Sequence, residues 1–210
     1  MPDEISVTAR KKEIRSRMRE RRRQVSPEDR KAAGKAACKQ VIGEPIRLLL
    51  RAWRVSLYLS TSHEIPTRYL ARAVWEEGRD VCVPAWCPEN ESYGLFALDP
   101  RMKVLTGHRG IREPAVRIPV LPWDVDAFVL PGLAFDALGG RLGFGAGYYD
   151  RILARASSRA PKIGLCYDWQ ILDEPLPQEP HDVALDWLVS ERRVLHCAAN
   201  RKATRTGSPS

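Results

Sequence analysis

Apolar positions near the start of the chain recur at helical spacing, whereas those in the middle run in short unbroken blocks. From Arg10 to Gln24 strong helix formers dominate. Ile14 and Met18 sit four apart on one face, and the rest of that face is Arg and Lys. Ser26-Pro27-Glu28-Asp29 reads as a helix start, with a Ser cap, Pro at the first position and acids in the first turn. That second helix is expected to reach about Ile42 and stop at Gly43. Arg54 to Leu59 is strand-like. Pro66 to Glu77 predicts a helix with Leu70, Ala73 and Val74 on one side, stopped at Gly78. Asp80 to Pro84 reads as another strand, and residues 86–122, dense in Pro, Gly and charge, as short strands and loops. Ala127-Phe128-Val129-Leu130-Pro131 is a continuous apolar block, the pattern of a parallel strand buried on both faces. A glycine-rich loop and a helix from about Ala146 to Ala156 follow, then strands at Lys162–Cys166 and Trp187–Val189. Alternating strands and helices predict an α/β sandwich with a largely parallel sheet, in which ligands bind at the carboxyl ends of strands.

The length of 210 residues predicts one domain over residues 10–196, a frayed, disordered start over 1–9 and a disordered tail over 197–210. Apolar patches are short, Leu48–Leu50 among them, and none approaches the roughly 20 residues of a membrane span. With no apolar stretch near the start, the expected location is the cytoplasm. The net charge of +8 is concentrated at the ends: residues 1–31 hold 11 Lys/Arg against 6 Asp/Glu, and residues 192–210 hold 5 Lys/Arg and no acid. Basic ends suit an anionic small molecule, nucleic acid or plain solubility. The five cysteines form no zinc pattern and read as free thiols, with Cys82 and Cys166 as small core residues.

Chemistry concentrates between Pro131 and Arg151. Six glycines fall within residues 132–147. Gly143, Gly145 and Gly147 let backbone N–H groups turn toward one point, and the following helix start adds positive potential, which together suit a polyphosphate. Arg141 offers a forked donor to the same oxygens, and Asp150 a carboxylate for the magnesium that accompanies a nucleotide. The spacing is neither a Walker A loop nor a dinucleotide fingerprint. A glycine turn that merely caps a helix, with Tyr148 and Tyr149 in the core, satisfies the same residues.

The run Arg141-Leu142-Gly143-Phe144-Gly145-Ala146-Gly147-Tyr148-Tyr149-Asp150 resembles the signature of the 5-formyltetrahydrofolate cyclo-ligase (5,10-methenyltetrahydrofolate synthetase) family. Lys11 to Arg15, His63 to Thr67, Pro180 to Val183 and Ser190-Glu191 are similar to its other elements, in order, over about residues 10–194. The resemblance implies a three-layer α/β/α sandwich of the kind shared with sugar-phosphate isomerases and CoA transferases. It implies an enzyme that cyclises 5-formyltetrahydrofolate to 5,10-methenyltetrahydrofolate with ATP and magnesium, releasing ADP and phosphate; the expected state is a monomer. It places ATP on Lys11, Lys12, Glu13, Ile14 and Arg15, and on Arg141, Leu142, Gly143, Phe144, Gly145, Ala146, Gly147, Tyr148 and Tyr149. Folate falls to Arg15, Leu59, Glu64 and residues Phe144 to Tyr148, magnesium to Asp150 and Asp182, and catalysis to Arg141 and Tyr148.

Plainer readings stand beside these. Lys11, Lys12 and Arg15 also suit a solvated helix face, Glu64 a helix-start acid, Asp182 a cap before a strand, and Asp150 a surface pair with Arg151 or Arg155. His181 reads as structural, and Trp123, Trp169 and Trp187 as core or groove wall. Some family members carry basic residues where this chain has Phe144 and Ala146, so the missing charge falls to Arg141, Lys11 and magnesium; Ser190 stands where Thr is usual. A non-catalytic folate-binding relative, and a nucleic-acid-binding protein working through its basic ends, remain as other readings.

Overall fold

The structure, a computed structural model, describes residues 6–43 and 52–206. The patch Leu48–Leu50 and the outermost parts of both expected disordered ends lie outside these residues.

Two helices open the chain. In α1 (Val7–Arg23) the Ser6 hydroxyl accepts from Ala9 N at 3.2 Å. In α2 (Pro27–Ile42) Ser26 caps Asp29 N at 3.0 Å, with Pro27 at the first position, and Gly43 ends the helix. Then come β1 (Arg54–Ser56), α3 (Arg68–Glu76), β2 (Asp80–Cys87), β3 (Ser92–Ala97), β4 (Val104–Thr106), β5 (Arg112–Pro114), β6 (Pro119–Val120) and β7 (Ala127–Leu130). The chain closes with β8 (Ala134–Asp136), β9 (Arg141–Leu142), α4 (Tyr148–Leu153), β10 (Lys162–Leu165), β11 (Ile171–Leu172), β12 (Trp187–Val189), β13 (Val194–His196) and α5 (Cys197–Thr206).

Eight strands form the main sheet in the order β13-β12-β10-β7-β1-β2-β3-β6. The five from β12 to β2 are parallel, and β13, β3 and β6 are added antiparallel at the edges. Period-two alternation splits the strand residues between two cores. Val55, Val81, Val83, Ala127, Val129, Ile163 and Val189 pack with Ala37, Val41, Leu70 and Val74 of α2 and α3. Cys82, Phe128, Leu130 and Leu188 face the other way, onto Phe135, Ile152, Leu153 and Cys197 of β8, α4 and α5. These two cores make the three-layer α/β/α sandwich. The strand order reverses at β1, which pairs β2 on one side and β7 on the other. The crevice beyond the carboxyl ends of β1 and β7 is therefore the place where this class of sheet binds ligands.

Close packing fixes the crevice walls. A Cβ on Gly34 of α2 would come within 2.4 Å of the Pro66 ring, so only glycine lets α2 settle on the loop after β1. In that loop the Tyr58 hydroxyl donates to Ile65 O at 2.8 Å, which turns the chain back and ends the expected Arg54–Leu59 strand early. The loop after β7 also differs from expectation, because it contains the β8–β9 hairpin, under which Ile14 and Met18 of α1 pack with Leu133, Ala134 and Leu142.

Among the described residues both terminal segments carry helix. Residues 7–9 belong to α1, because a serine cap precedes them. The expected disordered tail is helical from Cys197 to Thr206, since one side of that polar segment is held down by the fully buried Cys197. Cys38, Cys82 and Cys166 are buried free thiols too, and burial pushes Cys38 up to about 11 and Cys82 to about 12. Among the described residues no helix is long and apolar enough to cross a membrane.

Candidate active site

A cavity of about 620 Å³ occupies the crevice, walled by α1, the loop after β1, residues 143–150 and the segment 179–182. α1 turns one edge to it: Lys11, Arg15, Arg19 and Arg22, spaced by four, four and three residues, all line the cavity. Lys11 is buried, and its Nζ donates to Glu179 Oε2 at 2.6 Å and Asp182 Oδ2 at 2.8 Å. Burial lowers its pKa, but the bonds and charges of Asp182 and Glu179 outweigh that and hold it above the ordinary amine value. Burial raises Asp182, but Lys11 together with the Glu179 N–H at 2.8 Å more than reverses it, so Asp182 titrates below an ordinary carboxylate.

The glycine loop is held by its carbonyl edge. Arg15 Nε donates to Gly143 O at 2.9 Å and Arg19 Nη2 reaches Phe144 O at 3.5 Å. Gly145 and Gly147 have φ of +106° and +63°, a left-handed path that glycine alone follows without strain. Among the described residues, no backbone N–H from 143 to 147 donates to a protein acceptor. The loop thus keeps its donors for something else. Phe144, 52% exposed, lies under the guanidinium groups of Arg19 and Arg22, at 5.6 and 5.2 Å from its centroid.

Arg141 is almost fully buried and donates to Asp150 Oδ1 at 2.7 Å; Val183 N approaches the same oxygen at 3.5 Å. The segment after Asp182 thus comes against Asp150, and Glu179, His181 and Asp182 bring a ligand atom each to within 4.8 Å of one another. Tyr149 is partly buried beneath Arg141, whose guanidinium lies 5.6 Å from its ring, and desolvation there raises its phenol above its usual range.

On the opposite wall, Glu64 is buried, accepts from Thr61 N at 2.8 Å and faces Arg22 Nη1 at 3.8 Å. Tyr93 and Tyr148 meet edge to face at 4.8 Å, and burial pushes the Tyr93 phenol up to about 12. Arg22 Nη1, Tyr93 OH and Arg141 Nε all belong to cavity-lining residues and are buried without a hydrogen-bond partner. An unmet buried polar group costs about 1–3 kcal/mol. All three belong to residues around one cavity.

Most of the residues singled out from the sequence converge here: Lys11, Arg15, Leu59, Glu64, Arg141 to Asp150 and Asp182 all line the cavity. Lys12, Glu13 and Ile14 do not. At 100° per residue Lys12 and Glu13 rotate into solvent, and Ile14 packs under the β8–β9 hairpin. Asp150 pairs with Arg141 rather than Arg151 or Arg155, and Trp123 is exposed beneath Arg155 instead of walling the groove. Sequence reasoning missed Arg19, Arg22, Tyr93, Arg109 and Glu179. The helical spacing from Lys11 was the available signal for the two α1 arginines; Tyr93 and Arg109 come from a segment without periodicity.

A doubly wound sheet whose switch-point crevice is ringed by cations, free loop amides and orphan donors defines an α/β enzyme acting on an anionic small molecule. Within that class the assignment is specific: the 5-formyltetrahydrofolate cyclo-ligase family model matches residues 7–191, and the chain belongs to that family. It is 31% identical over 181 residues to the 5-formyltetrahydrofolate cyclo-ligase of Escherichia coli (strain K12), covering 84% of this chain and 98% of that one. It is 33% identical over 146 residues to that of Mycolicibacterium smegmatis, covering 66% and 74%. The structure of Aquifex aeolicus 5,10-methenyltetrahydrofolate synthetase superposes with a TM-score of 0.76 at 31% identity, covering 90% of this chain and 93% of that one. A Mycoplasma pneumoniae 5,10-methenyltetrahydrofolate synthetase shares the fold, with a TM-score of 0.70 at 20% identity, covering 87% and 99%. The protein is a folate-metabolising ligase with the family's activity, that of a 5-formyltetrahydrofolate cyclo-ligase.

Proposed function

We propose that the cavity holds ATP with magnesium against the glycine loop and α1, and 5-formyltetrahydrofolate against Glu64, Leu59 and the Tyr148 wall. One observation carries this reading: residues 143–147, whose amides have no protein acceptor, line the same cavity as Lys11, Arg15, Arg19, Arg22 and Arg141. That is a charge and donor density suited to a triphosphate.

The oxygen donors present fit a hard cation. Asp182 and Glu179, which lie together, and Asp150, which Val183 N approaches, would hold magnesium, which prefers a few carboxylates together with phosphate oxygens. When bound, magnesium offsets the negative charge of the triphosphate. The chain's own residues do the rest. Arg15 and Arg19 grip the loop carbonyls and so aim its amides. Arg141, fixed by Asp150, offers its free Nε to a phosphate oxygen. Glu64 accepts from the amino and N–H edge of a pterin.

An N-formyl group is an amide, with a weakly electrophilic carbon and a poor leaving oxygen. In the proposed reaction the formyl oxygen attacks the γ-phosphorus, the bond to the β-phosphate oxygen breaks and ADP departs. The folate N10 lone pair then attacks the formyl carbon, N10 loses its proton, and the carbon–oxygen bond breaks to release phosphate. Such a route demands positioning and charge neutralisation rather than a protein nucleophile. Mixing the pure protein with 5-formyltetrahydrofolate, ATP and magnesium is expected to raise the near-ultraviolet absorbance of the methenyl product. No rise at any ATP or magnesium concentration refutes the proposal.

A further inference from the structure

α5 lies beyond residue 191, where the family match ends, yet it grips the hairpin that carries Arg141. Arg201 Nη1 donates to Leu138 O at 2.6 Å and to Leu185 O at 2.7 Å, and its Nη2 lies 3.8 Å from Asp186 Oδ1. Asn200 Nδ2 donates to Ala137 O at 2.9 Å. Leu138 sits at the tip of the β8–β9 hairpin, three residues before Arg141. Leu185 follows Asp182 by three residues, and Leu185 N donates to Gly139 O at 2.9 Å. One guanidinium thus ties together the two segments that present Arg141 and Asp182. The fit is tight, since a Cβ on Gly139 would lie 2.5 Å from Arg201 Nη1 and 2.4 Å from Leu185 O.

We infer that α5 is part of the active-site scaffold, and that Arg201 is a positioning residue that fixes the spacing between the Arg141–Asp150 pair and the Lys11–Asp182 pair. Arg201 is not among the residues that line the cavity, so it acts only through the two backbones it joins. Those pairs belong to the nucleotide side of the cavity as proposed above, and the inference rests on that reading. Loosening the tie lets the hairpin tip drift from the 182–186 segment. A displacement near 1 Å of a positioning group costs about a hundredfold in rate. The damage falls first on nucleotide use, because Glu64 and Leu59 follow β1, and Tyr148, though it comes after the hairpin, is braced by its edge-to-face contact with Tyr93 of β3.

The test compares the full-length wild type with Arg201→Met, Arg201→Lys and Asn200→Ala, by steady-state kinetics in both substrates and by calorimetric titration with magnesium and a non-hydrolysable ATP analogue. Arg201→Met is expected to raise the KM for ATP and weaken analogue binding by about tenfold to a hundredfold, with the KM for 5-formyltetrahydrofolate within twofold of wild type. Arg201→Lys should recover most of the loss, because one ammonium can donate to both carbonyls. Where Arg201→Met fails to fold, Asn200→Ala carries the same test with a smaller shift in the same constant. Wild-type nucleotide constants in the variant that folds overturn the inference, as does an equal loss for both substrates. A wild type that neither binds the analogue nor turns over would instead overturn the nucleotide reading itself.

Discussion

Asp136 is a buried carboxylate, 1% exposed, and replacing it with Asn tests how the hairpin is built. Its Oδ1 accepts from Leu138 N at 2.8 Å and Gly140 N at 2.9 Å, and its Oδ2 from Leu176 N at 2.7 Å. Asparagine keeps one acceptor oxygen. With that oxygen toward the hairpin, the new amide N–H₂ meets the Leu176 N–H donor to donor. One buried N–H then goes unmet, at about 1–3 kcal/mol, and two remaining bonds lose charge assistance worth about 1 kcal/mol each. Relief of the buried charge offsets part of this, which leaves a net loss of about 2–4 kcal/mol. For a chain of this size the melting temperature should fall by about 5–15 °C. Scanning calorimetry of Asp136→Asn beside wild type, at neutral pH and without ligand, measures it. A fall under 2 °C would refute the reasoning, since it would mean that the three amides find equal partners elsewhere.

Two further outcomes follow from the charged pairs. Asp150→Ala removes a proposed magnesium ligand and the partner of buried Arg141, so turnover should fall and half-saturating magnesium rise by about tenfold or more; an unchanged magnesium titration removes Asp150 from the metal role. Lys11→Met should cost about 1 kcal/mol of stability near neutral pH, a figure discounted because the Glu179 side chain is 44% exposed. The sign of its pH dependence comes from both partners. The Asp182 share is present above its unfolded pKa and is lost as pH falls through a folded value below 3.8. The Lys11 share is present below its unfolded pKa and is lost as pH rises through a folded value above 10.5. The gap between wild type and variant in urea midpoint should therefore be flat from about pH 5 to 9 and close outside it.

The strands and helices that position the site were legible because local patterns coincided with burial. The Ala127–Leu130 block is buried on both faces, and the Ser26 start caps α2 as its residues imply. The β8–β9 hairpin was hidden, because its two short strands read only as a glycine-rich loop. Its register is held by Asp136, whose partner Leu176 lies 40 residues away and leaves no local signal. α5 was hidden for the opposite reason. Its polar composition argues for disorder, and what orders it is one buried thiol and two side chains reaching carbonyls more than 60 residues back in sequence. Within the site, the glycine loop and Arg141 were legible as a motif. Arg19 and Arg22 required the helix phase to be carried two turns past Arg15.

That phase also answers how a loop with Phe144 and Ala146 supplies enough positive charge. The loop itself contributes no cation between Leu142 and Asp150, but α1 lays Arg15, Arg19 and Arg22 across it. Phe144 sets their position. Its ring is the common floor under the Arg19 and Arg22 guanidinium groups, a contact worth about 0.5–1 kcal/mol each at an exposed site. A basic side chain at that position would repel both arginines, whereas the aromatic ring draws them in. Here the charge comes from a separate helix, so in the proposed site docking of α1 through Ile14 and Met18 becomes a condition for binding a triphosphate. On that proposal nucleotide affinity is coupled to the stability of the α1–hairpin contact, and anything that loosens the hairpin weakens the grip of α1 with it.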